Sequence, residues 1–120
     1  EAIEPVSYSA AFRAAHADEL AERARALAAL PDSWFSNLAG LLTSVIDGSF
    51  GEVLAAIRCP TLVVAASEDA VVPAAGSRAL AEAIPGAELC TVVGAGHAVV
   101  IERPEAVAEL LLDWWRRLDA

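Results

Sequence analysis

The segment Glu88–Leu118, ELCTVVGAGHAVVIERPEAVAELLLDWWRRL, passes from a strand pattern to a helix pattern through a glycine-flanked histidine. Its first part, ELCTVV (Glu88–Val93), is a short run rich in apolar and β-branched residues and predicts a strand. Its last part, Pro104–Leu118, predicts a helix. Proline stands at the start, Glu105 and Glu109 lie early, and Arg116 and Arg117 fall in the last turn, the order that suits the helix dipole. Val107, Leu111, Trp114 and Leu118 read as one continuous apolar face. Between strand and helix, GAGH puts His97 four residues beyond the strand.

Upstream, the pattern repeats. TLVVAA (Thr61–Ala66) reads as a strand buried on both faces, and AAGSRALAEAI (Ala74–Ile84) as a helix closed by Pro85-Gly86. The order is strand, helix, strand, helix. Two strands joined by a short helical crossover should be parallel, with a right-handed connection. A two-stranded parallel sheet leaves faces and edges uncovered, so this part reads as the end of a larger parallel sheet. Residues 9–57 read as helical: one helix from an N-cap at Ser9 to Pro31, with Phe12, His16, Leu20, Leu27 and Leu30 at helical spacing. A second, capped by Asp32 or Ser33, carries Phe35, Leu38, Leu42, Val45 and Ile46 and stops at Gly48; a third runs near Glu52–Ile57. The chain therefore divides into a helical segment, residues 1–57, and an α/β segment, residues 58–120.

Composition narrows the function. The 120 residues carry a net charge of −9, and all eight basic residues are arginines; no basic stripe interleaved with aromatics suggests a nucleic-acid partner. No apolar run reaches the roughly 18–20 residues of a membrane span, and no signal peptide is visible. Cys59 and Cys90 form no C-x-x-C pair and read as small core residues of a chain in a reducing cytoplasm. The chain starts at Glu1 and has no methionine, so it is expected to be a processed product or an expressed segment.

Asp69, in ASEDAVVP, lies three residues beyond the first strand, as His97 lies beyond the second. Singly, Asp69 reads as a helix cap and His97 as a turn residue. Together they differ, because loops after parallel neighbouring strands meet at one sheet edge. There an aspartate can hold one imidazole nitrogen, fix the tautomer and leave the other nitrogen as general base. His16, on the stripe between Phe12 and Leu20, reads as a packing or rim residue, and nothing completes a zinc site around it.

IRCPTLVVAASEDAVVP (Ile57–Pro73) and IPGAELCTVVGAGHAVVIERPEAVAELLLDWW (Ile84–Trp115) together resemble the C-terminal part of an α/β-hydrolase. The resemblance implies that Asp69, four residues before Pro73, is the acid. It implies that His97, followed by Glu102 and Pro104, is the general base, with the family's spacing of 28 residues between them. Ala66 stands where the family often has glycine. The family's nucleophile elbow, G-x-S-x-G, is not found in these residues; the serine and the oxyanion donors are expected on a preceding segment. Residues 1–57 resemble the helical cap that covers the active site. Val71, Val72 and Ala98, beside the acid and the histidine, and Trp34 in the cap, are expected to line the substrate pocket. The implied activity is hydrolysis of a small ester or lactone without a cofactor or metal. The expected partner is a complementary N-terminal half, or a second copy in an intertwined homo-oligomer. Ligand binding without turnover on the same fold is the alternative; a serine in the elbow favours the enzyme, alanine or glycine the binder.

Overall fold

The computed structural model describes residues 4–47 and 51–119. The helical segment contains α1 (Glu4–Ser7), α2 (Ala10–Ala15), α3 (Ala17–Ala28), α4 (Asp32–Asp47) and α5 (Gly51–Ala55). The rest contains β1 (Leu62–Ala66), α6 (Ala74–Ala83), β2 (Glu88–Val92), α7 (Val99–Glu102) and α8 (Pro104–Leu118). Among the described residues no helix is long and apolar enough to cross a membrane.

β1 and β2 are parallel and in register from Leu62 opposite Glu88 to Ala66 opposite Val92. The crossover is α6, which packs on both strands. Gly86, at φ +76°, makes the return from α6 to β2, a left-handed conformation that costs glycine no Cβ clash. Val63, Ala65 and Ala66 are buried, so β1 is covered where its side chains are small and branched. The core behind the candidate site is Ala66, Val92, Ala95 and Val107, with Val64, Val99, Ala106 and Leu110 packed against it.

Several elements depart from the sequence reading. The helix expected unbroken from Ser9 to Leu30 is two helices hinged at His16, whose backbone (φ −123°, ψ 29°) is not helical. The His16 ring stacks on Phe12 with centroids 4.1 Å apart, and Asp18 and Glu19 favour a new helix N-terminus immediately after it. Ser9 does cap α2: its side chain accepts a hydrogen bond from the Phe12 amide. Asp32 is the first residue of α4, not a cap before it. The stop at Gly48 and the side chains of Val45 and Ile46 lie outside the described residues. Cys59, expected in the core, is exposed, because it lies in the turn ahead of β1; Cys90, on β2, is half-buried. On α8 the buried line is Val107 with Leu110, while Leu111 and Leu118 are exposed. Both i+3 and i+4 are helical neighbours of Val107; the packing of α8 against β2 selects the first.

Candidate active site

The acid turn follows β1 directly. The ladder continues past the strand ends, with the Ser67 amide donating to the Val92 carbonyl at 3.0 Å and the Glu68 amide to the Ala95 carbonyl at 2.9 Å. The Ser67 hydroxyl accepts from the Gly94 amide at 2.9 Å, so the turns that carry Asp69 and His97 are tied before either side chain is reached. Asp69 then sits at the start of a turn in which its own Oδ1 accepts from the amides of Val71 and Val72, each at 2.8 Å. The aspartate is thus a cap for its turn, as a lone aspartate before a helix commonly is. It is also more than that, because Oδ2 lies 2.9 Å from His97 Nδ1.

The histidine turn follows β2. Gly94, at φ +71°, starts it in the left-handed region. Arg103 donates to the Gly94 carbonyl at 3.1 Å. Gly96 has no room for a side chain: a Cβ there would lie 2.6 Å from the Ser9 nitrogen and 2.8 Å from the Tyr8 carbonyl carbon. The Ala98 amide donates to the Ser7 carbonyl at 2.8 Å. His97 is therefore bracketed by two residues fastened to the N-terminal segment.

Asp69 and His97 differ in exposure. The aspartate side chain is 10% exposed and the histidine 44%. Burial alone would raise the Asp69 carboxyl; the Val72 amide, the His97 imidazole and the Val71 amide outweigh it and hold the carboxyl below the usual aspartate value. The carboxylate stays ionised beside an imidazole whose Nε2 has no hydrogen bond among the described residues. Such a pair can hold the Nδ1–H tautomer and stabilise an imidazolium, while Nε2 takes and returns a proton.

The remaining predicted site residues fall in two places. Val71 and Val72 supply the amides that hold Asp69, and both side chains are exposed. Ala98 is half-buried beside the histidine and caps α7. Trp34 is on α4, edge-on to Phe35 at 5.1 Å, and with Asn37, Leu38 and Leu41 it lines an open depression of about 260 Å³. Among the described residues no hydrogen bond or ring contact joins Trp34 to Asp69 or His97. Glu102, in sequence no more than part of the motif after His97, is 5% exposed and bonded to the histidine turn, through Oε1 to the Gly96 amide at 2.9 Å.

The chain matches the model of the Alpha/beta hydrolase family over residues 2–110. It is 35% identical over 114 residues, 94% of its length, to a protein of Escherichia coli O127:H6 named "Putative carbamate hydrolase RutD". Among solved structures it is similar to MGS-M2, an alpha/beta hydrolase enzyme from a Medee basin deep-sea metagenome library, with TM-score 0.85, 27% identity and 94% of this chain covered. It is also similar to Est816, an N-acyl homoserine lactone degrading enzyme, with TM-score 0.77, 31% identity and 91% of this chain covered. The matches take in 42% and 43% of those two structures and 26% to 42% of the carbamate-hydrolase relatives, so the chain spans less than half of each of these proteins. With a family model matched along most of its length, parallel strands in register and hydrolases as relatives, the chain belongs to the alpha/beta hydrolase family.

Proposed function

We propose that this chain supplies the acid and the base of a serine hydrolase acting on small carboxylic esters or lactones. The observation that carries the reading is the Asp69 Oδ2–His97 Nδ1 contact of 2.9 Å at the ends of adjacent parallel strands. In this reading Asp69 holds the tautomer, and His97 Nε2 removes the proton of a serine hydroxyl carried on a preceding segment. The serine oxygen attacks the acyl carbon, and His97 returns the proton to the leaving alkoxide. Water, deprotonated by the same nitrogen, then releases the acid from the acyl-enzyme. The names of the relatives bear on substrate: one is a lactone-degrading enzyme, and another's name is that of a carbamate hydrolase. Both acyl bonds are within reach of the same chemistry, and the apolar Val71 and Val72 beside the acid favour small, uncharged substrates.

The test uses the complete hydrolase, meaning this chain together with the segment carrying the nucleophile. It should hydrolyse p-nitrophenyl acetate or butyrate and open an N-acyl homoserine lactone, whereas this chain alone should not exceed the background of a solvent-exposed histidine. A folded complex that binds these compounds but turns none of them over would replace the enzyme reading with ligand binding.

A further inference from the structure

Glu102 is a buried acid in an unusual setting. It is 5% exposed, yet among the described residues no cation pairs with it; Arg103, its neighbour, donates to the Glu102 backbone carbonyl instead. Its partners are two main-chain amides far apart in sequence. Oε1 accepts from Gly96 at 2.9 Å and from Ser9 at 3.1 Å, and Oε2 lies 3.3 Å from the same Ser9 amide. A buried carboxylate with no cation beside it is tolerated only where hydrogen bonds replace its lost hydration, and here two main-chain amides supply them. What it does here is geometric. It joins the residue before His97 to the start of α2, where the two backbones come so close that a Cβ on Gly96 would lie 2.6 Å from the Ser9 nitrogen. On the other side of His97, Ala98 is held to Ser7.

We propose that Glu102 is a positioning residue for His97. By clamping the Gly96 amide against the Ser9 amide, it keeps the imidazole within reach of Asp69 and couples the N-terminal helices to the base. The catalytic side of this inference rests on the hydrolase reading above; the structural side, the hold on the Asp69–His97 pair, does not.

Two variants separate shape from charge. Because Oε1 takes both of the shorter bonds, the amide oxygen of Glu102→Gln can keep them. Glu102→Asp keeps the charge but withdraws the oxygens by one methylene. In the complete hydrolase, Glu102→Gln should retain kcat within about threefold. Glu102→Asp should lose about 10- to 100-fold in kcat with KM changed less than about twofold, the pattern of a displaced base. The 15N shifts of His97 should show the Nδ1–H tautomer in the parent and Glu102→Gln, and a shift toward Nε2–H in Glu102→Asp. A purely structural role would lower stability without moving the tautomer. In the parent, the Ser9 and Gly96 amides should exchange slowly with solvent, a measurement that stands if Glu102→Asp does not fold; fast exchange would overturn the proposal. If the parent is active and folded Glu102→Asp matches it in kcat and tautomer, the positioning role fails while the hydrolase reading survives. If the parent turns over no ester yet the tautomer responds as described, the hydrolase reading fails and the hold on the pair stands.

Discussion

The Asp69 carboxylate meets three donors at one site, two amides of its own turn and the imidazole of a histidine 28 residues away. Replacing it with asparagine keeps an oxygen for the amides but sets an amide group against His97 Nδ1. In serine proteases the same change leaves the histidine in the wrong tautomer and lowers kcat by about 10⁴-fold, so a loss on the order of 10²–10⁴-fold is expected in the complete hydrolase. On the proposed serine mechanism, His97→Ala should be at least as damaging, because no base would remain to activate the nucleophile. Assays with p-nitrophenyl butyrate check both; near-normal kcat in two folded variants would discard the assignment. Asp69 also sets a pH dependence. Its carboxyl is held below the ordinary aspartate value in the folded chain, so its contribution to stability is complete above that value and disappears as pH falls through the lowered one. Urea melts should therefore show a constant gap between the parent and Asp69→Asn above about pH 5, narrowing below about pH 4. An equal gap at pH 7 and pH 3 would mean that the ionised form is not what the turn holds.

Among the elements, the turns limit the chain more than the helices do. Gly86 and Gly94 both have positive φ, but Gly86 has open space around it. Gly86→Ala should therefore cost only the backbone penalty, about 1–2 kcal/mol. Gly96→Ala should cost more, because its Cβ meets backbone atoms that cannot rotate away. Thermal melts of the two variants side by side test this order; a milder effect at Gly96 would contradict the packing described around His97. At the other end, Ser9 is 2% exposed and caps α2. Ser9→Ala should lose about 1 kcal/mol, typical of an N-cap.

Taken as one body, the chain is more open than its length suggests. Its radius of gyration is 16.6 Å, where a compact chain of this size would have about 14 Å. Large apolar side chains lie on the surface, among them Trp115 at 63% exposed, Leu112 at 55% and Val93 at 80%. Among the described residues β1 pairs with β2 alone, which leaves its other edge without a partner strand. Exposed apolar surface and an open strand edge both promote association. In dilute solution the isolated chain is therefore expected to self-associate, or to be recovered with a complementary N-terminal half. Sedimentation showing a monomer with a sharp cooperative melt would count against this.

The strand–helix–strand–helix order and the matched positions of Asp69 and His97 are legible before any folding is considered. Those features rest on local signals: β-branched runs, a proline and charges placed along the helix dipole, and glycines where a chain must turn. Their meeting at one edge follows from parallel pairing, which the crossover length already implies. Local signals do not say which of two helical neighbours faces the core, so the choice of Leu110 over Leu111 comes from how α8 lies on β2. Nor do they show a bond between residues 93 positions apart. In the linear chain Glu102 is part of the motif after His97, with nothing local to show what its carboxylate binds. Ser9 and Gly96 reach the same carboxylate when the chain closes over it, because folding removes the water that would otherwise satisfy all three.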